Sequence, residues 1–327
     1  MHNLITDVPG LKVGHAQDEG LGSGSTVIVF DEPAVASIDV RGGGPGTRET
    51  ALLDPAQTVE GIDAIVLSGG SAFGLDAASG AQAWLREQGR GFAVRSARVP
   101  IVPAAVLFDL LSGGNKDWGR YPPYRDFGYA AAAGAQADFA LGSIGAGTGA
   151  TTANFKGGVG SASAQTIDGC TVGALAAVNA VGSVTVGGGP WFWAAPFEVD
   201  GEFGGLGLPN PFPSQALEPV TKGSARISTT LVVVATDATL TKAQAKRLAV
   251  MAQSGLSRAI YPVHSPLDGD VLFAASTSRR PLPDTVVGLT VLGALAANVV
   301  ARAIARGVYT AKTPPGSIAC WQDQFGR

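Results

Sequence analysis

Residues 226–260 read RISTTLVVVATDATLTKAQAKRLAVMAQSGLSRAI. The first half is an apolar, β-branched run, Leu231–Val234, that reads as a buried strand. The second half changes period. Ala245, Leu248, Ala249, Ala252 and Leu256 recur at helical spacing, with Lys242, Lys246 and Arg247 on the opposite face and Thr241 in position to cap. A buried strand running into a helix with one apolar face predicts a sheet covered by helices. The same unit occurs earlier. IDAIVLS (62–68) reads as a strand, GGSAFG (69–74) as a tight glycine turn, and Leu75 to about Gln88 as a helix. Such units predict an α/β (α+β) chain, a four-layer αββα sandwich, with a doubly wound α/β fold as the rival.

Working outward, Ser25–Phe30 and Ala36–Val40 read as two strands, and residues 170–186 as an extended apolar run. Residues 99–114 read as a strand or loop turning into a short helix. The aromatic and proline-rich stretch 115–128 reads as an exposed excursion, and 130–139 as an alanine-rich helix. Residues 142–163 are nearly all small. Residues 187–224 hold Gly, Pro and aromatics without period and read as a linker. A turn and strand follow at 262–277. Val286–Gly307 is long and apolar, but Asn298, Arg302 and Arg306 enter its second half, which fits a buried helix better than a membrane span. The whole of 1–327 reads as a single domain.

Composition excludes several classes. The 327 residues are 46 % hydrophobic and 15 % charged, which argues for a large core and against disorder. A net charge of −3 with no basic tract excludes a nucleic-acid binder. Cys170 and Cys320 are too few and too far apart for a disulfide framework or a CxxC metal site. His2, His15 and His264 show no metal-ligand spacing, so neither metal nor cofactor is expected. The N-terminus lacks a basic and apolar leader, and the expected location is cytoplasmic.

Three places carry candidate chemistry. The GGSAFG turn, with Ser71, could cradle a phosphate or an oxyanion at a helix start, though GxGxxG and GxxxxGK(S/T) are absent, or be only a turn. LDGD places Asp268 and Asp270 two apart, on one side if extended; a solvated Asp-Gly turn is the plainer reading. The third is Ser228-Thr229-Thr230. A hydroxyl needs a base to be a nucleophile, and no GxSxG elbow is present. Cleavage just before a Thr would supply one. The freed α-amine has a pKa of about 8 and can take the proton of its own hydroxyl. A nearby lysine such as Lys156 would lower that pKa, and carboxylates would position the amine.

The chain resembles the self-processing N-terminal-nucleophile aminopeptidases, a family that includes L-aminopeptidase/D-esterases, β-aminopeptidases and nylon-oligomer endohydrolases. The resemblance rests on ITDVPGLKVGHA (5–16), DVRGGGPGTRET (39–50), VLSGGSAFGLDAASG (66–80), VPIVPAAVLFDL (99–110), FKGGVGSAS (155–163), GALAAVNAVGS (173–183), TTLVVVATDA (229–238) and SPLDGD (265–270). It is strongest to the 6-aminohexanoate-oligomer hydrolase branch, on the Thr-Thr start and the DGD motif. The resemblance implies the αββα fold and self-cleavage between Ser228 and Thr229, giving an α chain 1–228 and a β chain 229–327. It implies Thr229 as nucleophile, Asn179 as oxyanion donor, Lys156 as a site lysine, and Asp268 and Asp270 as the orienting pair. Ser228 stands where the family usually has Asn or Gly, and Phe108 where relatives often have Tyr; Phe108 and Ser71 are expected to face substrate. The substrate expected is a small peptide or amide, and the assembly a homotetramer of αβ heterodimers. Acyl transfer to an amine acceptor and an unprocessed, silent relative are the alternatives.

Overall fold

In the computed structural model of the chain, residues 1–222, 228–314 and 317–326 are described. Eleven strands are present among them: β1 (Leu11–Asp18), β2 (Ser23–Val40), β3 (Gly46–Arg48), β4 (Gly61–Ser68), β5 (Phe92–Val94), β6 (Ala97–Val99), β7 (Ala104–Val106), β8 (Val159–Gln165), β9 (Thr171–Asn179), β10 (Thr229–Ala238) and β11 (Val271–Arg280). The helices are α1 (Ala77–Glu87), α2 (Tyr124–Ala133), α3 (Lys242–Ala252), α4 (Ser254–Ala259), α5 (Val287–Tyr309) and α6 (Trp321–Phe325). Nine strands form one mixed sheet in the order β3-β7-β4-β2-β11-β10-β9-β8, with β1 beside β2; β5 and β6 make a separate hairpin.

The layering comes from β2. Its first part, Ser25–Val29, pairs with β4, and its last part, Val35–Val40, pairs with β11. Between them the register with β4 slips, around Pro33. Proline cannot donate to a ladder, and a slip of this kind bends a strand. The two parts of the sheet face each other. Ile28, Ile65 and Leu67 from one share a core with Leu231, Val233 and Phe273 from the other. Their outer faces are covered separately. Val27, Val29, Ala64 and Val66 meet Ala77, Ala81, Leu85 and Ala131 of α1 and α2. Val232, Val234, Leu272 and Ala274 meet Leu248 of α3, Leu256 of α4 and Leu292 and Val299 of α5. Helix, sheet, sheet, helix is the expected αββα arrangement. Every residue of β10 is buried because alternate side chains enter different cores.

Several local readings change. The two strands expected at 25–30 and 36–40 are one, because Pro33 bends the strand without ending it. The alanine-rich helix starts six residues earlier than expected, right after Pro123, and stops at Gly134. The short helix expected by residue 114 is absent: residues 107–123 carry none, and Gly113 and Gly114 have φ of +88° and +73°. Strands β1 and β8 were not anticipated; β8 is VGSASAQ, too small in side chain to show a strand pattern. The 240–260 helix breaks at Gln253 into α3 and α4. Thr241 caps α3 as expected, accepting from the Gln244 backbone at 3.2 Å while Gln244 answers at 2.8 Å. The linker at 187–222 carries only single helical turns; its last two residues, 223 and 224, lie outside the described set. Helix α5 is long and apolar enough to cross a membrane by length and composition alone, yet most of it is buried in this fold. Its Arg302 is 5 % exposed and ion-paired with Glu202.

Candidate active site

Three chain segments converge at the start of β10. Antiparallel pairing sets Thr229 directly opposite Asn179, the last residue of β9. Parallel pairing on the other side brings the approach to β11 alongside, with Ser228 bridged to Asp268. The glycine loop after β2 backs this approach. Gly44 N–H donates to Asp268 O at 2.8 Å and Arg41 N–H to Asp270 O at 3.1 Å. Strand register, not a single motif, therefore assembles Thr229, Asn179, Asp268 and Asp270.

Thr229 is 2 % exposed and Ser228 fully buried. The Thr229 hydroxyl donates to the Ser228 carbonyl at 2.6 Å. The same carbonyl accepts from Gly269 N–H at 2.8 Å, and Ser228 N–H is tied to Leu267 O at 3.0 Å. The Ser228–Thr229 peptide is thus gripped on both sides, with its carbonyl polarised by an amide. A Cβ on residue 269 would lie 2.6 Å from both Thr229 Oγ1 and Gly44 O, so the DGD motif needs its glycine. The Ser228 and Thr230 hydroxyls are buried without a hydrogen-bond partner among the described residues. Of the three consecutive hydroxyls, Thr229 alone is engaged.

The Asn179 Nδ2 donates to Phe108 O at 3.0 Å. Its Oδ1 accepts from Thr151 N–H and from Lys222 Nζ, each at 3.0 Å. Phe108 therefore takes part through its backbone, and its half-buried ring makes no hydrogen bond. Ser71 holds the turn between β4 and α1, with φ of +52° and its N–H on Leu107 O at 2.9 Å. The Leu107–Phe108 backbone links it to Asn179.

The two aspartates divide their work. Asp268 accepts from Val181 N–H at 3.2 Å and from the amide and hydroxyl of Ser265 at 3.0 and 2.8 Å. Asp270 accepts from Thr230 N–H at 2.8 Å and from the His264 amide and Nδ1 at 3.2 and 2.9 Å. Neither bonds Thr229 Oγ1. Burial pushes the Asp268 pKa up, and the neighbouring Asp270 charge pushes it further. Lys156 makes no hydrogen bond to Thr229 either. Its Nζ donates to three carbonyls, Gly147, Ala150 and Gly157, at 3.0, 2.7 and 3.1 Å. Burial pulls its pKa down to about 7, against the opposing pull of Asp109. Lys156 thereby shapes the 147–151 loop whose Thr151 amide holds Asn179.

Four further residues at or beside this cluster carry no assigned role in the sequence reading. Lys222 sits in a segment without period. His264, with φ of +56°, is legible only once Asp270 is placed. Gly269 is hidden by its lack of a side chain. Asp109 is fully buried, takes Ser23 Oγ at 2.6 Å and Gly70 N–H at 2.7 Å, and has its pKa raised by burial. It fixes the glycine turn at Gly70 (φ +83°), where Tyr124 leaves no room for a Cβ. No group of three or more His, Cys, Asp or Glu able to hold a metal exists among the described residues.

A buried Thr hydroxyl on its own preceding carbonyl, with an amide donor and an Asn beside it, is the equipment of acyl transfer to a side-chain oxygen. Comparison with known proteins shows the family. It is 44 % identical to an uncharacterized aminopeptidase of Mycobacterium tuberculosis (strain ATCC 25618 / H37Rv), over 99 % of this chain and 98 % of that protein. It is 28 % identical to a 6-aminohexanoate-oligomer endohydrolase of Kocuria sp., over 91 % of this chain and 83 % of the relative. The L-aminopeptidase D-Ala-esterase/amidase of Ochrobactrum anthropi, described as a variant of the Ntn hydrolase fold, superposes with a TM-score of 0.69 at 22 % identity. That match covers 100 % of this chain and 95 % of the other. The fold is that of the Ntn-hydrolase aminopeptidases, and the chain is a hydrolase. The model of peptidase family S58 matches residues 3–319, and the chain belongs to that family.

Proposed function

We propose that this hydrolase makes its own nucleophile. Thr229 Oγ1 attacks the Ser228 carbonyl carbon, the C–N bond breaks, and the acyl group passes from nitrogen to oxygen as an ester. Water hydrolyses the ester, leaving a Ser228 carboxylate on an α chain of 1–228 and a free Thr229 amine on a β chain of 229–327. The observation that carries this reading is the Thr229 hydroxyl 2.6 Å from the carbonyl oxygen of the bond to be cut, with Gly269 N–H on the same oxygen.

In the mature enzyme the Thr229 amine takes the hydroxyl proton, and the hydroxyl attacks a substrate amide. Gly269 N–H and Asn179 Nδ2 stabilise the oxyanion; one such donor is worth about 3–4 kcal/mol of barrier. The ammonium returns its proton to the leaving amine, and water releases the acyl group. The names of the relatives support peptides with free N-termini, amino-acid amides or ω-amino-acid oligomers as substrates. The working assembly in this reading is a cytoplasmic homotetramer of αβ heterodimers without cofactor. The exposed Val286, Val287 and Val291 at the start of α5 offer apolar surface for it.

Intact mass of the purified protein tests the first step. Two fragments meeting at Ser228–Thr229 are expected, and one uncut chain from Thr229→Ala. A Thr229→Ala protein that still splits and hydrolyses amides would sink the assignment.

A further inference from the structure

Lys222 lies six residues before the proposed cleavage point, in a segment with no readable pattern. Its backbone N–H is tied to Val181 O at 3.2 Å, two residues beyond β9. Its Nζ then reaches Asn179, 3.0 Å from Oδ1 and 3.4 Å from the backbone oxygen. Asn179 is the residue facing Thr229 across the β9–β10 ladder.

An Asn amide has two ends of nearly equal shape, and its partners decide which end points where. Around Asn179, two donors, Thr151 N–H and Lys222 Nζ, face one end, and an acceptor, Phe108 O, faces the other. The oxygen must lie toward the donors and the NH₂ toward Phe108. The reverse orientation would set oxygen against oxygen and NH₂ against an ammonium. The cation does more than Thr151 can. A charged donor on Oδ1 draws electron density from the amide and strengthens Nδ2–H as a donor. Lys156, the site lysine expected from the sequence, spends its bonds on Gly147, Ala150 and Gly157.

We infer that Lys222 is the positioning residue for Asn179: its ammonium locks and polarises the amide that serves the Thr229 reaction centre. This rests on the reading of Thr229 as nucleophile. It also means that the segment to be severed carries a part of the apparatus that severs it.

The test compares Lys222→Met and Lys222→Arg in the full chain, each expressed and followed by intact mass for appearance of the 1–228 and 229–327 fragments. Loss of a charge-assisted bond to Asn179 should slow Lys222→Met about ten- to a hundredfold. Lys222→Arg keeps the charge and should stay within about threefold of wild type. A purely structural role would not be rescued by Arg, so equal slowing of both overturns the inference, as does wild-type cleavage by Lys222→Met. The double variant Lys222→Met/Asn179→Ala guards against misfolding of the single one. If Lys222 works through Asn179, the double variant is no slower than Asn179→Ala alone; additive slowing overturns the inference. Failure of the underlying reading looks different: wild type would then stay uncut, or Thr229→Ala would cut.

Discussion

Replacing Gly269 with Ala perturbs the scissile carbonyl through a single methyl group. The new Cβ would fall 2.6 Å from Thr229 Oγ1 and 2.6 Å from Gly44 O, and one of these is backbone. The Thr229 hydroxyl could rotate away, but Gly44 cannot, because its own N–H is held by Asp268 O at 2.8 Å. The 268–270 turn must therefore move. Gly269 N–H then leaves the Ser228 carbonyl it meets at 2.8 Å. Losing a preorganised donor of this kind costs about 3–4 kcal/mol of barrier, or about 10²–10³ in rate. The accompanying overpacking costs about 1–3 kcal/mol of stability, so a folded protein is expected. The assay is the time course of fragment appearance by intact mass at fixed temperature, with circular dichroism confirming the fold. A folded Gly269→Ala protein that cleaves at the wild-type rate would refute the role of that amide.

Two of the buried carboxylates, Asp268 and Asp109, respond differently to amidation. Both oxygens of Asp268 accept from backbone amides, so Asp268→Asn sets an NH₂ against a donor and should cost about 1–3 kcal/mol in urea melts. Asp109→Asn should cost less than about 1 kcal/mol, because the Ser23 hydroxyl on one oxygen can turn to accept. Lys156, with its pKa drawn down to about 7, binds fewer protons folded than unfolded between about 7 and its ordinary value. Wild-type stability should therefore rise relative to Lys156→Met as pH climbs through that window, and a difference flat in pH would refute the depressed pKa. Thr241→Ala removes the α3 cap and should cost about 1 kcal/mol in thermal or urea melts while leaving fragment formation unchanged.

Much of the layering was legible because β10 and α3 obey simple periods. Leu231–Val234 must be buried on both sides, and Ala245, Leu248 and Ala249 must share a face. What hid the rest was small or conformational. Strand β8 has few side chains large enough to show alternation, and β2 crosses a proline without ending. At the site, Thr229, Asn179, Asp268 and Asp270 came from the sequence and meet around the β10 start. The roles of the acids could not be read that way. An i, i+2 spacing places two carboxylates near one another, but Asp268 turns to Ser265 and Val181, and Asp270 to Thr230 and His264.

The two lysines mark the boundary most clearly. The sequence by itself determined that a charged amine was available, that the hydroxyl triplet began a buried strand, and that a glycine sat between two acids. Only the tertiary structure decided which lysine faces Asn179 and why the glycine is required. Both answers depend on distances of about 3 Å between segments far apart in the chain. Such distances follow from strand register and loop packing, which no local period records.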